Sequence, residues 1–118
     1  LMWSLDLERW RKTREALRSL RAMCRLRGIR LIGFAFPMQF ELYPGYRYPQ
    51  PHRTIAENFR VLGIPFYDAR AALSRSPNGD ELFPKRYDII HPSGQAYDFL
   101  ARDLLLDMAK RGWVHGTF

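Results

Sequence analysis

Two segments of the chain have the composition of β-strands, and segments with helical periodicity separate and flank them. Residues 29–36 form a nearly continuous apolar run, which is typical of a strand covered on both faces. Residues 64–68 predict a second, shorter strand, with Pro65 near its start, where a proline is tolerated. The order helix, strand, helix, strand, helix predicts a parallel α/β sheet with right-handed crossover connections. This alternation constrains the fold more than any other feature of the sequence.

A parallel sheet of two strands is too small to stand alone. Both of its edges would lack hydrogen-bonded neighbours, and its helices would have little sheet to cover. The 118 residues suffice for one hydrophobic core, and the sequence has no internal repeat and no second domain. We therefore predict that residues 1–118 form a single partial domain, the carboxyl-terminal part of a larger α/β domain. Either a missing amino-terminal half or a second chain would complete it.

The first predicted helix spans about residues 5–27. Apolar side chains recur along it on one stripe at three- and four-residue spacing. The members of this stripe are Trp10, Thr13, Leu17, Leu20 and Cys24, with Ala16 and Met23 beside it. A neighbouring basic stripe consists of Arg11, Arg14, Arg18, Arg21 and Arg25. Gly28 follows and predicts the end of the helix, because glycine readily adopts the left-handed conformation found there.

Two more helices are predicted further along the chain. Thr54 and Glu57 have the spacing of a capping box, which predicts the start of a short helix that Gly63 ends. The last helix is predicted for residues 94–110, with Ser93 as its N-cap. Its buried stripe is predicted to consist of Tyr97, Leu100, Ala101, Leu104 and Met108.

The chain is strongly basic, with a formal net charge of +7 that arginine mostly supplies. Such a charge occurs in proteins that bind nucleic acid or another anionic surface. Solvated helix faces that bind nothing would carry the same arginines. We do not expect nucleic acid to be the partner, because the basic stripe lacks interleaved aromatic residues and no nucleic-acid-binding fold is recognisable.

Several classes of protein are excluded or left without support by the composition. No apolar run approaches the roughly 20 residues needed to span a bilayer. The amino end turns polar at Asp6 and does not resemble a signal peptide. Cys24 is the single cysteine, which excludes an internal disulfide and a cysteine-based metal cluster, and its place on the apolar stripe predicts a core residue. We predict no cofactor, and the sequence does not identify a compartment.

A carboxylate and an imidazole stand three residues apart just before the last predicted helix. The sequence from Asp88 reads Asp-Ile-Ile-His-Pro-Ser, and Pro92 disfavours helical geometry at His91. A turn can still bring the carboxylate of Asp88 to the ring of His91. A carboxylate that fixes the imidazole tautomer and stabilises the imidazolium is most of a hydrolytic base. The same spacing also occurs in ordinary polar turns, so the spacing alone leaves both interpretations open.

The wider block resembles a known family. Residues 88–97, followed by an amphipathic helix, resemble the last conserved block of the SGNH/GDSL hydrolases, where an aspartate and a histidine sit three apart before the final helix. Residues 62–69 and 27–37 are similar to strands of that family. The resemblance extends over about residues 5–108. Family members often have glycine at the positions that Ile89 and Ala96 occupy here.

This resemblance implies a flavodoxin-like three-layer αβα sandwich with parallel strands and a serine esterase or acyl-transfer activity without a metal. It implies that His91 is the general base and Asp88 its orienting acid. The substrate would be an acyl ester of a small molecule or a carbohydrate.

The nucleophile of such an enzyme is missing from the chain. The Gly-Asp-Ser block of the family has no counterpart, and neither do its oxyanion-hole glycine and asparagine. The serines are Ser4, Ser19, Ser74, Ser76 and Ser93. None of them is predicted on the strained strand-to-helix turn that exposes a nucleophile. We therefore expect the chain alone to be inactive.

The loop at residues 37–51 is the predicted substrate wall. It contains four prolines and four aromatic residues and follows the end of the first predicted strand. Gln39 would donate a hydrogen bond to a substrate and Phe40 would line the pocket. Alternatively, the rings of this loop pack on the surface of the domain itself. His52 and His115 are predicted to be solvated.

Two other functions remain open. The chain could be a non-catalytic module that binds nucleic acid through the arginine-rich first helix. It could also be a degenerate structural relative that forms an oligomer, since a lone half-sheet would expose apolar surface.

Overall fold

A computed structural model describes residues 8–38, 42, 50–76, 82 and 91–116. The elements in this part of the chain are α1 Glu8–Leu26, β1 Gly33–Ala35, α2 Gln50–Val61, β2 Phe66–Asp68, α3 Ala69–Ser74 and α4 Gly94–Lys110. The predicted alternation of helices and strands is confirmed, and the strand β1 is shorter than the apolar run that predicted it. None of the described helices combines the length and apolar character that crossing a bilayer requires.

The chain forms two compact units. Unit 1 comprises residues 1–35 and 47–68, and its described part contains α1, β1, α2 and β2. Unit 2 comprises residues 36–46 and 69–118, and its described part contains α3 and α4.

The sheet of unit 1 is parallel, as expected for an α/β chain. Gly33, Phe34 and Ala35 of β1 lie opposite Phe66, Tyr67 and Asp68 of β2. The backbone N–H of Gly33 donates to the carbonyl of Pro65 at 2.8 Å. Proline has no N–H, so its carbonyl is the only backbone group with which it can hydrogen-bond to the neighbouring strand. Because α2 connects the two strands, β1, α2 and β2 form a βαβ unit.

The helix α2 approaches the sheet closely at Gly33. A Cβ atom on Gly33 would lie 2.6 Å from the ring of Phe59, closer than two carbon atoms can approach. The ring of Phe59 stacks on that of Phe66, with 5.3 Å between the centroids. The strand therefore needs glycine at position 33 for the helix to pack on it.

The helix α2 begins more than one turn earlier than predicted. Its first residue is Gln50, and Thr54 is buried inside it, where its carbonyl accepts a hydrogen bond from the Asn58 side chain at 2.8 Å. The predicted capping box at Thr54 is therefore wrong. Pro51 explains the earlier start, because the fixed φ of proline and its missing N–H fit the first turn of a helix.

The predicted ends of α1 and α2 are confirmed. Gly28 and Gly63 both have φ of 66°, in the left-handed region. The N–H of the residue after each glycine donates to a carbonyl five residues back: Ile29 to Cys24 at 2.8 Å, and Ile64 to Phe59 at 3.0 Å. This is the Schellman motif, which satisfies carbonyls that a helix end leaves open.

The packed face of α1 differs from the predicted apolar stripe. Its buried and half-buried side chains are Trp10, Arg14, Leu17, Arg21 and Cys24. Arg14 donates to the side-chain oxygen of Asn58 on α2 at 3.4 Å, and the guanidinium of Arg21 lies against Gly63. Long arginine side chains can bury their stems while the charged end finds a polar partner. The face is therefore rotated toward the arginines, and Leu20 stays exposed.

The core of unit 2 is built by α3 and α4. Ala72 and Leu73 of α3 and Ala96 and Leu100 of α4 are buried. A side-chain nitrogen of Arg75 lies 3.2 Å from a carboxylate oxygen of Asp103, which joins α3 to α4 at the edge of this core. Apolar packing with one ion pair at its rim holds the two helices together.

The bounds of α4 match the prediction, whereas its buried stripe matches only in part. Leu100 is buried and Leu104 and Met108 are half-buried, but Tyr97 and Ala101 are exposed. The small side chain of Ala96, which is fully buried, occupies the packed position in the first turn. Tyr97, one residue further round the helix, is therefore directed away from the core.

Candidate active site

The candidate site lies at the amino-terminal end of α4, in unit 2. His91 is exposed and precedes the N-cap of the helix by two residues. The imidazole of His91 is therefore accessible to solvent. This position agrees with the prediction that the Asp-x-x-His block leads directly into the last helix.

The residues after His91 are fixed by burial and hydrogen bonds. Pro92 is buried. The side-chain oxygen of Ser93 accepts a hydrogen bond from the N–H of Ala96 at 3.2 Å, and the N–H of Ser93 donates to the carbonyl of Leu82 at 2.5 Å. Ser93 has the extended backbone of an N-cap, as predicted. The backbone that carries His91 is thus anchored directly after it.

An aromatic pair accompanies the first turn of α4. The rings of Phe36 and Tyr97 meet edge to face with 5.9 Å between their centroids. Phe36 is 44% exposed and Tyr97 is 48% exposed, so the two rings present apolar surface to solvent instead of filling a core. The sequence pattern does not predict this pair, because Tyr97 fits the apolar periodicity of a buried stripe. An apolar surface beside a helix start is suited to holding an acyl chain or the face of a sugar.

Three of the predicted site residues lie outside the described part of the chain. They are Asp88, Gln39 and Phe40. His91 is therefore the one predicted site residue whose surroundings the structure describes, and the pairing of Asp88 with His91 stays a prediction.

Three of the four described serines are engaged with the backbone of a helix. The hydroxyl of Ser19 donates to the carbonyl of Glu15 at 3.2 Å, and that of Ser74 donates to the carbonyl of Arg70 at 2.7 Å. Ser93 is the N-cap of α4. None of these three lies at the end of a strand, which is where an α/β-hydrolase fold exposes its nucleophilic serine.

Asp68 is a further candidate for a functional residue, and the sequence pattern assigns it no role. It is the last residue of β2, it is half-buried, and its partner in the ladder is the last residue of β1. Open α/β sheets bind ligands outside the carboxyl ends of their strands. The signal in the sequence that points to Asp68 is a carboxylate at the end of an apolar strand.

Other titratable side chains lie away from His91 in the sequence and serve structure. His52 is buried in the first turns of α2, so the prediction that it is solvated is wrong. On the exposed face of the same helix, the hydrogen bond that Arg60 donates to Glu57 holds the pKa of that carboxyl below its ordinary value. Among the described residues, no group of three or more His, Cys, Asp or Glu side chains could hold a metal ion.

No protein-family model, curated protein sequence or solved structure matches this chain. The likeness to the SGNH/GDSL hydrolases therefore rests on the residues of the Asp-x-x-His block and on the order of the elements around it.

Proposed function

We propose that this chain is the base-bearing part of a serine ester hydrolase or acyltransferase of the SGNH/GDSL type. One observation carries the proposal: His91, in an Asp-x-x-His block, is an exposed imidazole just before an N-capped amphipathic helix. An exposed imidazole on an anchored backbone has the access that a general base needs.

The fold that goes with this function is a flavodoxin-like three-layer sandwich. The parallel pair β1 and β2, with α2 as its crossover, is the repeating unit of such a sandwich. Two strands supply a minor part of its sheet, and further polypeptide supplies the rest. The same polypeptide would carry the nucleophile and the oxyanion hole.

In this function His91 acts on a serine hydroxyl from the missing part. The imidazole takes the proton of that hydroxyl while the serine oxygen forms a bond to the ester carbonyl carbon. The imidazolium then gives the proton to the leaving alcohol oxygen as the ester bond breaks. Asp88 accepts a hydrogen bond from the other ring nitrogen of His91 and stabilises the imidazolium.

The proposed substrate class is supported by an aromatic pair at the start of the helix that follows His91. Phe36 and Tyr97 offer half-exposed rings at the first turn of α4, and Gln39 and Phe40 come shortly after Phe36 in the sequence. This combination of rings and an amide suits an acyl ester of a small molecule or a carbohydrate.

The pairing of Asp88 with His91 can be tested on the chain as it is. In ¹⁵N-labelled protein, a paired carboxylate keeps the ring nitrogen that faces it protonated, so nitrogen NMR should show one dominant tautomer of neutral His91. Asp88→Asn should shift the tautomer populations. Asp98→Asn, which removes an exposed carboxylate from α4, should leave them unchanged. Identical His91 spectra for wild type and Asp88→Asn would remove the orienting acid from the proposal.

Activity provides the second test. The coding DNA upstream of Leu1 should contain an in-frame Gly-Asp-Ser block after a hydrophobic strand, and the protein expressed from that longer frame should hydrolyse p-nitrophenyl esters. Asp88→Asn in the longer protein should lower kcat by about 10⁴-fold while circular dichroism stays the same. An Asp88→Asn variant that keeps full activity would contradict the role of the carboxylate.

A second candidate is a non-catalytic relative that pairs with another chain. Phe34 of β1 and Val61 of α2 are large apolar side chains that stay exposed in unit 1. Exposed apolar surface beside a small sheet is typical of an interface. Light scattering should then show a stable oligomer, and His91 should show the same tautomer populations in wild type and Asp88→Asn. A well-folded monomer would exclude this candidate.

A further inference from the structure

The side of α1 that does not pack on α2 carries a row of exposed apolar side chains. Leu20, Met23 and Leu26 follow one another at three-residue intervals near the end of the helix, and their exposed fractions are 41%, 49% and 87%. Ile29, directly after the closing turn, is 55% exposed. We call these four residues the outer row. At 1.5 Å per residue, its helical part extends along about 9 Å of the helix axis.

The helix that carries the outer row is strongly positive. The helix α1 contains seven basic and two acidic residues, hence a net charge of +5, whereas the whole chain has +7. Arg18, Arg25 and Arg27 are exposed, and within the described residues none of these three forms an ion pair. Most of the net charge of the chain is thus concentrated on the helix that carries the outer row.

The packing of α1 explains why this side stays exposed. The opposite side is held in unit 1 by Cys24, which is buried, and by the contact of Arg14 with Asn58. With that side fixed, Met23 and Leu26 cannot turn inward. The apolar residues of α1 are therefore divided between a packed side and an exposed side, although the sequence pattern predicted a single stripe.

We propose that the outer row and its arginines bind an anionic lipid surface. A helix that lies in a membrane interface combines apolar side chains that enter the acyl boundary with Lys and Arg that meet anionic headgroups. Separate side chains on a convex helix can enter a fluid interface one by one, whereas a folded protein partner would need a matching hole for each. The helix would lie parallel to the membrane, with Leu26, its most exposed apolar side chain, inserted furthest.

Charge argues against the two other occupants. A second copy would bring the arginines of one α1 against those of the other, which is unfavourable at close range. Nucleic acid would satisfy Arg18 and Arg25 but would leave the aliphatic side chains of the outer row without a role. An anionic bilayer satisfies both kinds of side chain.

The test is a sedimentation assay with vesicles. The chain should bind vesicles of phosphatidylcholine with phosphatidylserine and should bind vesicles of phosphatidylcholine alone much more weakly. Leu26→Ser should weaken binding to the anionic vesicles about tenfold, because the inserted aliphatic side chain is lost. Arg18→Gln and Arg25→Gln should each weaken it about fivefold at moderate ionic strength. At about 1 M NaCl, where the Debye length falls to about 3 Å, the effect of the arginine substitutions should disappear.

Matched control variants distinguish binding by the outer row from non-specific adsorption to vesicles. Val61→Ser removes an exposed aliphatic side chain from α2 in the same unit, and Arg102→Gln removes an exposed cation from α4. Both should leave vesicle binding unchanged. All substituted side chains are exposed, so circular dichroism and the unfolding midpoint should stay close to wild type.

Three results would overturn the proposal. The first is equal binding to neutral and anionic vesicles, or unchanged binding by Leu26→Ser. The second is tight binding to duplex DNA or RNA that Arg18→Gln and Arg25→Gln weaken, in the absence of vesicle binding. The third is an oligomer that Leu26→Ser converts into a monomer that does not bind vesicles, since the outer row would then be an interface between chains.

Discussion

The two long helices of the chain are held in their units in opposite ways. The helix α4 packs through apolar side chains, with Ala96 and Leu100 almost completely buried, whereas the one buried apolar side chain of α1 is Cys24, which is 8% exposed. In its place, α1 uses Arg14 and Arg21, whose stems lie on the packed side. The difference teaches that apolar periodicity predicts that a helix forms, while polar partners on neighbouring elements decide which side packs.

In both helices, charged residues on the packed side have polar or charged partners. In α4, Asp103 and Asp107 are half-buried, and each pairs with an arginine: Asp103 with Arg75, directly after α3, at 3.2 Å, and Asp107 with Arg111 at 2.7 Å. A search for stripes of apolar residues passes over such positions, because it counts every charge as a solvated one.

The largest expected effect is the difference in stability between substituting a buried leucine of α4 and an exposed leucine of α1. Leu100→Ala should cost about 2–5 kcal/mol of unfolding free energy, because it leaves a cavity in the packed core of unit 2. Leu20→Ala in α1 should cost less than about 1 kcal/mol, because that side chain is already 41% exposed. Urea denaturation followed by circular dichroism measures both. Equal costs would mean that the exposed apolar side of α1 is covered in solution and that the contrast between the helices is false.

The next effect concerns the arginines of α1. Arg14→Ala should cost about 1–2 kcal/mol, because it removes a packed stem and leaves the buried side-chain oxygen of Asn58 without its donor. Arg18→Ala should cost less than about 0.5 kcal/mol, because Arg18 is exposed. The two substitutions remove the same charge from the same helix, so a difference in unfolding midpoint reports packing. Equal midpoints would contradict the rotated face of α1.

Local signals predicted most of the element bounds. Ser93, Gly28 and Gly63 act through hydrogen bonds to residues close in sequence, so their effect can be read without knowing the fold. The predicted start of α2 is wrong, because a proline in the first turn outweighs the apparent capping box at Thr54. The side of α1 that packs could not be predicted, because the contact of Arg14 with Asn58 joins residues 44 positions apart.

The candidate site was predictable to the same degree. The place of His91 before α4 follows from a local motif and a local cap, and both are visible in the sequence. The contact of Phe36 with Tyr97 was not predictable, because it depends on how the segment after β1 meets α4. Apolar periodicity predicts Tyr97 in the core. In the structure its small neighbour Ala96 is buried there, and Tyr97 is exposed.

A third prediction compares one serine from each helix. Ser93→Ala should cost about 1 kcal/mol, because the N–H of Ala96 loses the oxygen that caps α4. Ser19→Ala in α1 should be neutral or slightly stabilising, because the hydroxyl only donates to a carbonyl that is already in the helix and alanine is the better helix former. Thermal unfolding of the two variants measures the contrast. A cost for Ser19→Ala as large as that for Ser93→Ala would show that the cap does not determine where α4 starts.

The smallest effect compares an exposed ion pair from each helix. The pair Arg11–Glu15 of α1 is the shorter, at 2.6 Å, and the pair Asp98–Arg102 of α4 measures 3.0 Å. In α4 the acid precedes the base, which suits the helix dipole, whereas in α1 the order is reversed. Dipole orientation alone would therefore make the α4 pair the more stabilising one.

The charge around Glu15 reverses that expectation. Glu15 has Arg11, Lys12 and Arg18 three or four residues away on its helix, whereas Arg102 is the only cation at that spacing from Asp98. Glu15→Gln should cost roughly 0.5–1 kcal/mol at low ionic strength, because three cations lose the charge that offsets their mutual repulsion, and Asp98→Asn should cost about 0.3–0.5 kcal/mol. At about 1 M salt the two costs should become equal. If Asp98→Asn is the more harmful at low salt, dipole orientation outweighs the concentration of charge on α1, and the electrostatic contrast between the two helices is smaller than their composition implies.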